Sequence, residues 1–392
     1  MKKLYIILVT MLACLNVSAQ LPDVIKEPAD APDDGKKHAM TIYLKNSEIV
    51  YYNDVTKIDH VTYLPGIGMK VYLVEQEESV DYLYSQMTKI AYTPDENANA
   101  NWKIDGIKEK MWTDYPEAWR LEYPQLHKEN ISATPTAENS QIIVKRTENF
   151  GITFSLEWDN SKVANRWTCY ELHAGNTLSE TDRNDDFKAD KDAVESSELE
   201  DYKNSGFARG HVCPSADRQC SKEQNKQTFV LTNMQPQYTS HNSGLWGRLE
   251  KEVRNFATDP SYTNAFCDTM YVVKAATITD KVKIDGAEVD GVYPDIKCGV
   301  PGTAKHELLV SKYFYMALLH YNKETDSYHA LAFWTDHVSG KQSVEYLGDY
   351  AISINELEKR TGIDFFCNLP DDIEEEIEES LDVNFWHLKT SK

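Results

Sequence analysis

Short runs of apolar, β-branched and aromatic residues recur along most of the chain, and they constrain its fold more than any other feature. From about Trp112 to Trp386 these runs alternate with polar turns and a few helical patterns. Runs of this kind are typical of strands, whereas helices need longer periodic segments. The pattern therefore predicts an α+β domain over residues 112–392. The expected strands are 141–145, 152–157, 167–173, 228–232, 270–276, 313–319 and 328–334, and the expected helices are 243–257, 353–361 and 371–381.

The beginning of the chain predicts export. Lys2 and Lys3 precede an apolar run, and the sequence ending in Ser18-Ala19 supplies small residues for cleavage after Ala19, so residues 1–19 are interpreted as a signal peptide. A periplasmic, cell-surface or extracellular location follows, with lipid attachment at Cys14 as the alternative. No later segment has the length of apolar sequence that a membrane span needs, so no stable membrane insertion is expected.

Between the signal peptide and the α+β domain, the sequence predicts a small β module. Residues 20–37 are rich in proline, aspartate and lysine and are expected to be a flexible lead-in. Two similar stretches follow, one leading from Ile42 to Ile58 and the other from Val71 to Ile90. Neither is long enough to bury a face alone, so the copies are expected to pair within a module at 38–95. A polar linker at 96–111 is expected after it, and the module itself carries no catalytic signature.

Six cysteines follow the signal peptide, and in an exported protein an even number predicts disulfides. The pairing stays open, because sequence alone cannot choose among the alternatives. These residues are Cys169, Cys213, Cys220, Cys267, Cys298 and Cys367.

The net charge of −22 argues against a polyanionic partner, because nucleic-acid binding calls for a basic surface. The charge is unevenly distributed, however. The stretch 203–254 holds eight Lys and Arg against four Asp and Glu, while seven carboxylates lie between Asp371 and Glu379. The acidic run is expected to be the solvated face of a helix with Ile373 and Ile377 on its buried side. The basic stretch is where a phosphate-bearing substrate is expected.

Two residues of that basic stretch suit phosphodiester hydrolysis. The reaction needs an activated water, neutralisation of charge on phosphate and help for the leaving oxygen. His211 changes charge near neutral pH and can accept a proton from water, provided that a neighbour holds its ring. Asn242 offers an amide oxygen to Mg²⁺, which prefers oxygen ligands and keeps several waters.

Further polar groups follow at helical spacing. Asn242, Trp246, Glu250 and Arg254 are four residues apart, which places them along one stripe of a helix. Asparagine is favoured at a helix start, so Asn242 is also expected to cap this helix. Trp246 is expected to pack in the core. Arg254, like Arg209, presents a planar fork of donors that suits phosphate.

This segment resembles the DNA/RNA non-specific endonucleases of the ββα-metal (His-Me finger) group. The family's Arg-Gly-His box falls on Arg209–His211, its Asn-x-x-Pro-Gln box on Asn233–Gln237, and its Asn-x-x-x-Trp-x-x-x-Glu helix on 242–250. The resemblance extends from about Trp112 to Trp386. It implies a central antiparallel sheet and endonucleolytic cleavage of DNA and RNA that leaves 5′-phosphate and 3′-hydroxyl ends.

The resemblance also implies a role for each matching residue. His211 is the general base and Asn242 the sole direct protein ligand of Mg²⁺, for which Mn²⁺ is an alternative. Glu250 acts on the metal through water, and Asn233 orients its neighbours. The arginines that resemble phosphate clamps are Arg209, Arg254 and, upstream, Arg183. The family box often begins with aspartate where this chain has Ala208, which leaves open what orients His211.

Other interpretations compete with this one. His211, Cys213 and Cys220 are alternatively zinc ligands, His241 is an alternative general base, and Arg183 is alternatively a solvated charge. A phosphodiesterase restricted to one nucleic acid or to small nucleotides is a second enzyme hypothesis. A non-catalytic surface or adhesion protein is the hypothesis from another class, motivated by the acidic charge and the β module. The oligomeric state is left open.

Overall fold

The computed structural model describes residues 24–28, 40–45, 48–52, 58–64, 68–73, 78–92, 101, 117–118, 120–126, 134–267, 269–322, 325 and 327–391. The chain divides into two compact units, Met1–Glu96 and Asn97–Lys392. The predicted signal peptide, with Cys14, lies outside the described residues. In the described part of the chain, no helix has both the length and the apolar sequence needed to cross a bilayer.

The first unit is built from two antiparallel sheets. One has the order β1-β3-β2-β7 and the other β4-β5-β6. The strands are β1 (Val24–Pro28), β2 (Met40–Leu44), β3 (Glu48–Tyr52), β4 (Ile58–Leu64), β5 (Gly68–Leu73), β6 (Val80–Leu83) and β7 (Met87–Tyr92). The expected pairing of the two sequence copies is confirmed, since Ile42 pairs with Ile90 and Ile58 with Leu73. Their apolar side chains form one core.

Two details of the predicted organisation differ from the structure. Strand β1 lies inside the segment 20–37 that we expected to be a flexible lead-in, and it pairs with β3, which makes its backbone hydrogen bonds part of the sheet. Asn101 lies in the segment predicted as a linker, yet it is fully buried, and its amide donates hydrogen bonds to the carbonyl oxygens of Ala118 and Pro124. The rest of the predicted linker lies outside the described residues.

The second unit is organised around a seven-stranded antiparallel sheet with the order β20-β19-β18-β13-β10-β9-β8. Its strands are β8 (Ser140–Thr147), β9 (Gly151–Asp159), β10 (Ala164–Leu172), β13 (Thr269–Ala276), β18 (Tyr313–Asn322), β19 (Ser327–Asp336) and β20 (Ala351–Ile352). Three two-stranded ribbons accompany it: β11 (Ala208–His211) with β12 (Met234–Gln237), β14 (Lys281–Ile284) with β15 (Ala287–Asp290), and β16 (Val292–Cys298) with β17 (Leu308–Ser311).

The helices cover both faces of this sheet, as the alternation of its side chains requires. They are α1 (Leu199–Tyr202), α2 (Lys222–Gln227), α3 (Thr239–His241), α4 (Gly247–Thr258), α5 (Ile354–Thr361) and α6 (Asp371–Glu379). Helix α4 packs Leu249, Val253 and Phe256 on one face. Helices α5 and α6 pack on the other face, through a second core that includes Leu357 and Ile377. The predicted α+β class with a central antiparallel sheet is confirmed.

One predicted strand is wrong. The apolar segment at 228–232 contributes only an isolated bridge at Val230 and a 3₁₀ turn, Leu231–Asn233, and the strand begins after it, at Met234. Phe229 and Leu231 are fully buried all the same. An apolar run therefore indicated burial correctly, but burial does not require extended strand geometry.

The expected disulfides are not present among the described residues. All six cysteines are free and buried. Four of them are spread over three clusters, with Cys169 in the core under α5, Cys213 and Cys267 together in the core under α4, and Cys298 in a small cluster with Leu308 and Val310. Each serves as a small apolar side chain, and the disulfide prediction is wrong for this structure.

Candidate active site

Two antiparallel strands and the helix that follows them bring the predicted site residues together. Strand β11 pairs with β12 so that His211 lies opposite Met234 and Arg209 opposite Pro236. The chain then enters α3 directly after Tyr238. The segment therefore has a ββα arrangement, with the candidate base on the first strand and the candidate metal ligand on the helix.

Close packing explains the glycine of the Arg-Gly-His box. A Cβ atom at Gly210 would overlap the side chain of Gln237 on the opposite strand, lying 2.8 Å from its Cβ. Gln237 is itself fully buried, and its Nε2 lies 2.6 Å from Nδ1 of His241. Only glycine at position 210 leaves room for the Gln237 side chain. The Gly of the Arg-Gly-His box is therefore required for the close approach of β11 and β12.

Asn233 connects the two strands just beyond the candidate base. Its Oδ1 accepts a hydrogen bond from the backbone N–H of Cys213 (2.8 Å), and its Nδ2 donates to the carbonyl oxygens of Cys213 and Thr228 (both 2.9 Å). The backbone N–H of Val212 donates to the carbonyl of Asn233 (2.9 Å). The fully buried amide thus holds the backbone that follows His211, which is a positioning role.

The ring of His211 is held by aromatic packing. Phe187 and Phe229 contact it edge to face, with ring centroids 5.6 Å and 4.9 Å away. Its Nε2 atom is buried and has no hydrogen-bond partner among the described residues. The family box often has an aspartate where this chain has Ala208. In this structure the aromatic side chains of Phe187 and Phe229 orient the His211 ring.

Positive charge surrounds His211. Burial, together with the charges of Arg183 and Arg209, lowers the pKa of His211 from 6.5 to about 3. The Arg209 guanidinium lies 3.9 Å above the Phe187 ring, and that of Arg183 lies 4.9 Å from the Phe229 ring. His211 is consequently a neutral imidazole at neutral pH, able to accept a proton.

Arg183 lies close to His211, although the sequence around it left open whether it is a phosphate-binding residue or a solvated charge. About half of its side chain is exposed, and its Nε donates to Asp185 (2.6 Å). Its charge nevertheless acts on His211.

Asn242 lies within a wide helical turn and does not cap the helix. The helix starts four residues earlier than the sequence predicted, at Thr239, and its turn Asn242–Trp246 has π-helical hydrogen bonding, with non-helical torsion angles at Gly244. Asn242 itself has helical torsion angles. Turns of this type often mark functional sites, because they widen the backbone locally.

The surroundings of Asn242 fit a hard cation. Its side chain is partly exposed and makes no hydrogen bond to another described residue. Glu250, which lies eight residues later, is about 12 Å further along a helix axis, so its carboxylate reaches a cation at Asn242 more readily through water. An amide oxygen, with a carboxylate that acts through water, is a donor set that Mg²⁺ accepts.

Beneath Glu250 lies a charged network that sequence reasoning missed. Lys274, fully buried on β13, places its Nζ 3.5 Å from Oε1 of Glu250 and 4.0 Å from Oδ2 of Asp217. Arg254 donates from Nε to Oδ1 of Asp217 (2.7 Å), and Tyr170 donates to the other oxygen of the same carboxylate (2.9 Å). The available signal was a lysine in the middle of an apolar strand, a position where charge is rare unless paired.

This network sets the charge state of its carboxylates. Burial alone would raise the pKa of Asp217, but Arg254, Lys274 and Arg218 hold it below its ordinary value. Burial raises the pKa of Glu250, against the opposing effect of Lys274. Arg254, which we expected only as a phosphate clamp, is therefore held by Asp217 through one of its nitrogens.

Two alternatives are not supported by the geometry. His241 is fully buried, with Nδ1 bonded to Gln237 and Nε2 lying 3.1 Å from the Thr335 hydroxyl. Both of its nitrogens are engaged, so it is a structural residue. Among the described residues, His211, Cys213 and Cys220 do not converge as possible metal ligands.

The expectation for Trp246 is confirmed. This side chain is 1% exposed, stacks on His241 with ring centroids 5.9 Å apart, and contacts Phe314 edge to face. It packs α3 and the π turn against the sheet. The helix that carries Asn242 is thereby anchored in the core.

A ββα site of this kind, beside a buried sheet, is found in a class of metal-dependent nucleases, and comparison of the sequence with known families agrees. The profile of the DNA/RNA non-specific endonuclease family matches residues 133–372, which is more than half of the chain. The chain therefore belongs to the DNA/RNA non-specific endonuclease family and is an endonuclease by that membership.

Named relatives are nucleases. A nuclease of Nostoc sp. is 27% identical over 263 residues, which cover 64% of this chain and 82% of the relative. The mitochondrial nuclease EXOG of Homo sapiens is 27% identical over 221 residues, covering 55% of each chain. Human mitochondrial endonuclease G is 28% identical over 156 residues, covering 39% of this chain and 48% of the relative. Across the EXOG relatives the chain spans only 55% to 58% of their length.

A solved structure of an EndoG/EndoGI complex also matches, with a TM-score of 0.47 and 21% identity. The match covers 59% of this chain and 88% of that chain.

Proposed function

We propose that this protein is a Mg²⁺-dependent, sugar-non-specific endonuclease that hydrolyses internal phosphodiester bonds of DNA and RNA. The observation that supports this most directly is the neutral imidazole of His211, whose pKa is lowered by burial and by the charges of Arg183 and Arg209. His211 lies on the strand pair β11–β12, which leads into the helix that bears Asn242. A base, phosphate-binding groups and an oxygen ligand are the three things that the reaction needs.

In this proposal His211 removes the proton from the attacking water. The water oxygen forms a bond to phosphorus as the bond from phosphorus to O3′ breaks, which leaves a 5′-phosphate and, once O3′ gains a proton, a 3′-hydroxyl. The low pKa of His211 in the free protein keeps it neutral and able to accept. Phosphate between the arginines would offset their charge and raise that pKa, which favours proton transfer.

The arginines and the helix hold the other partners. Arg183 and Arg209 bind the phosphate oxygens, while Asn242 would hold the cation directly and Glu250 through water, with Mn²⁺ as an alternative to Mg²⁺. A divalent cation there supplies charge neutralisation on phosphate and on the leaving oxygen. Lys274 and Asp217 position Glu250 and Arg254 from below the site.

Closed circular plasmid DNA provides the decisive test, because a circle has no ends and only internal cleavage can nick it. We expect nicking and then fragments with Mg²⁺, and an intact circle with EDTA. His211→Ala should lower the rate by roughly 10²–10⁴-fold, since it removes the base and leaves the phosphate-binding groups. His173→Ala is the matched control, and it should cut at the normal rate. Because the cysteines are free, a mild reductant should have no effect.

An intact circle with Mg²⁺ present, from folded protein, would exclude the proposal and favour the binding-protein alternative. A restricted phosphodiesterase is distinguished by substrate. Cleavage of plasmid, single-stranded DNA and RNA under the same conditions would exclude that hypothesis, whereas activity on one of them alone would support it.

A further inference from the structure

A cavity lies directly beside the candidate base. Its volume is about 550 Å³, and Phe187, Arg183 and Arg209 line it. These are the groups that surround His211, since the Phe187 ring contacts the imidazole and both guanidinium charges act on it. The volume lies in the range of sites that enclose a small-molecule ligand. A ligand in this cavity would therefore have one end at the phosphate-binding arginines.

An aromatic platform forms another part of the cavity wall. Phe207 lines the cavity and packs on Tyr238 with ring centroids 4.9 Å apart, and Tyr238 packs in turn on His337 at 4.6 Å. His337 is fully buried, and its Nε2 accepts a hydrogen bond from the backbone N–H of Tyr238 (2.7 Å). Phe207 is thus the outer member of a column that is anchored in the core, which makes it a rigid surface for stacking.

Charge in the cavity suits one nucleotide with its flanking phosphates. Arg183, Lys203 and Arg209 line it together with two carboxylates, Asp185 and Glu200. Asp185 is paired with Arg183, so its charge is already compensated. Lys203 follows helix α1 directly and is exposed. Three cationic side chains therefore line the cavity and are available to phosphate.

We propose that this cavity binds one unpaired nucleotide next to the scissile phosphate, with its base stacked on Phe207, so that the enzyme prefers single-stranded DNA and RNA. The inference rests on the proposed function and names the substrate form that the same site accepts. A paired base lies inside the duplex stack and cannot reach the platform unless it is flipped out, which costs free energy. A base of a single strand has its face available, and stacking of this kind tolerates any base.

Binding of oligonucleotides in EDTA tests the inference without cleavage. The probe is a 12-nucleotide single-stranded DNA that carries 2-aminopurine, whose fluorescence is quenched when it stacks. We expect quenching on the wild-type protein and a Kd for the single strand lower than for a hairpin duplex. Phe207→Ala should remove the quenching and weaken single-strand binding about 5- to 150-fold, the usual effect of losing one stacked base.

Two further variants separate stacking from packing. Phe207→Leu keeps an apolar contact with Tyr238 and should still lose the quenching, whereas Phe207→Trp should retain it. Phe150→Ala, at a phenylalanine that is 51% exposed and does not line the cavity, is the matched control and should behave like the wild type. If Phe207→Leu binds and quenches the single strand as the wild type does, the inference is wrong.

The outcome can be separated from failure of the proposed function. If the wild type nicks plasmid DNA and Phe207→Leu shows no change in single-strand binding, only the nucleotide cavity is excluded. If the wild type does not nick plasmid DNA at all, the nuclease proposal itself fails, whatever the binding data show.

Discussion

At the level of single residues, the charge state of His211 depends on neighbours that come from distant parts of the sequence. Phe187, Phe229, Arg183 and Arg209 surround it, and burial with the two positive charges lowers its pKa to about 3. In the unfolded chain His211 takes up a proton near pH 6.5. The burial of a neutral His211 therefore costs the folded protein no stability above pH 6.5, whereas the free energy of unfolding decreases as the pH falls from 6.5 toward 3.

Arg183→Gln should raise the pKa of His211, because it removes one of the two positive charges that disfavour the imidazolium. The measurement is an NMR titration of the histidine Cε1–H signals in wild type and variant. In kcat/KM, the acid limb of the wild type should lie well below pH 6.5 and should move to higher pH in the variant.

The matched control for this titration is Arg146→Gln, because Arg146 is also about half exposed but pairs with Glu117 and does not act on His211. Its His211 pKa should equal that of the wild type. A wild-type pKa near 6.5 would show that the ring is hydrated, and the role of burial would then be wrong.

At the level of secondary-structure elements, the side-chain amide of Asn233 holds the backbone at the junction between β11 and β12. Asn233 donates to two backbone carbonyls, of Cys213 and Thr228, and accepts from one backbone N–H. A backbone that is held at both its N–H and its carbonyl cannot shift without breaking several bonds. The position of His211 therefore depends on this side chain.

Asn233→Asp should destabilise the protein by about 3 kcal/mol or more, because a carboxylate cannot donate and would face two carbonyl oxygens in a buried site. Part of the loss should be recovered at low pH, where the new carboxyl group is protonated. Urea unfolding at two pH values measures this, and plasmid nicking should slow in parallel.

Asn139→Asp provides the control, since the partly exposed Asn139 uses its Oδ1 to accept a hydrogen bond from the backbone N–H of Thr136, and an aspartate oxygen can accept the same bond. That variant should keep wild-type stability. Equal stability of Asn233→Asp and the wild type would show that the three hydrogen bonds of Asn233 do not hold the junction.

At the level of the whole molecule, a net charge of −22 coexists with a local excess of positive charge at 203–254. The acidic body repels a polyanion at long range, and only the few cations at the site attract it at short range. Screening by salt weakens both interactions, but the close contacts release counterions when they form. Binding is therefore expected to depend on a small number of phosphate contacts.

The salt dependence of single-strand binding counts those contacts. With Arg183, Lys203 and Arg209 as the phosphate-binding groups, log Kobs should fall with log[salt] with a slope of about −2, which follows from about −0.7 per contact on single strands. Fluorescence anisotropy in EDTA over a salt series gives the slope. Lys203→Gln should reduce its magnitude by about 0.7. A slope near zero, or one steeper than about −6, would contradict the proposed set of contacts.

The sequence by itself determined the features that depend on local pattern. Strand periodicity located six of the seven strands of the central sheet, all but the short β20, and Ser353 marked the start of α5, where its hydroxyl accepts the backbone N–H of Glu356 (3.2 Å). The boxes around His211, Asn233 and Asn242 were likewise readable, because glycine, proline and polar residues at fixed spacing reflect steric and chemical requirements of a short segment. The family and the fold class followed from these patterns.

Only the tertiary structure decided what depends on contacts between distant segments. Burial at 229–231 did not reveal that the strand lies at 234–237, because apolar residues are buried equally well in a turn. All six cysteines are free, and the fold distributes four of them over three different clusters. Lys274 and Asp217 meet beneath Glu250 from segments more than fifty residues apart in sequence. Charge, burial and orientation at such a site are sums over many elements, and no single segment of sequence contains them.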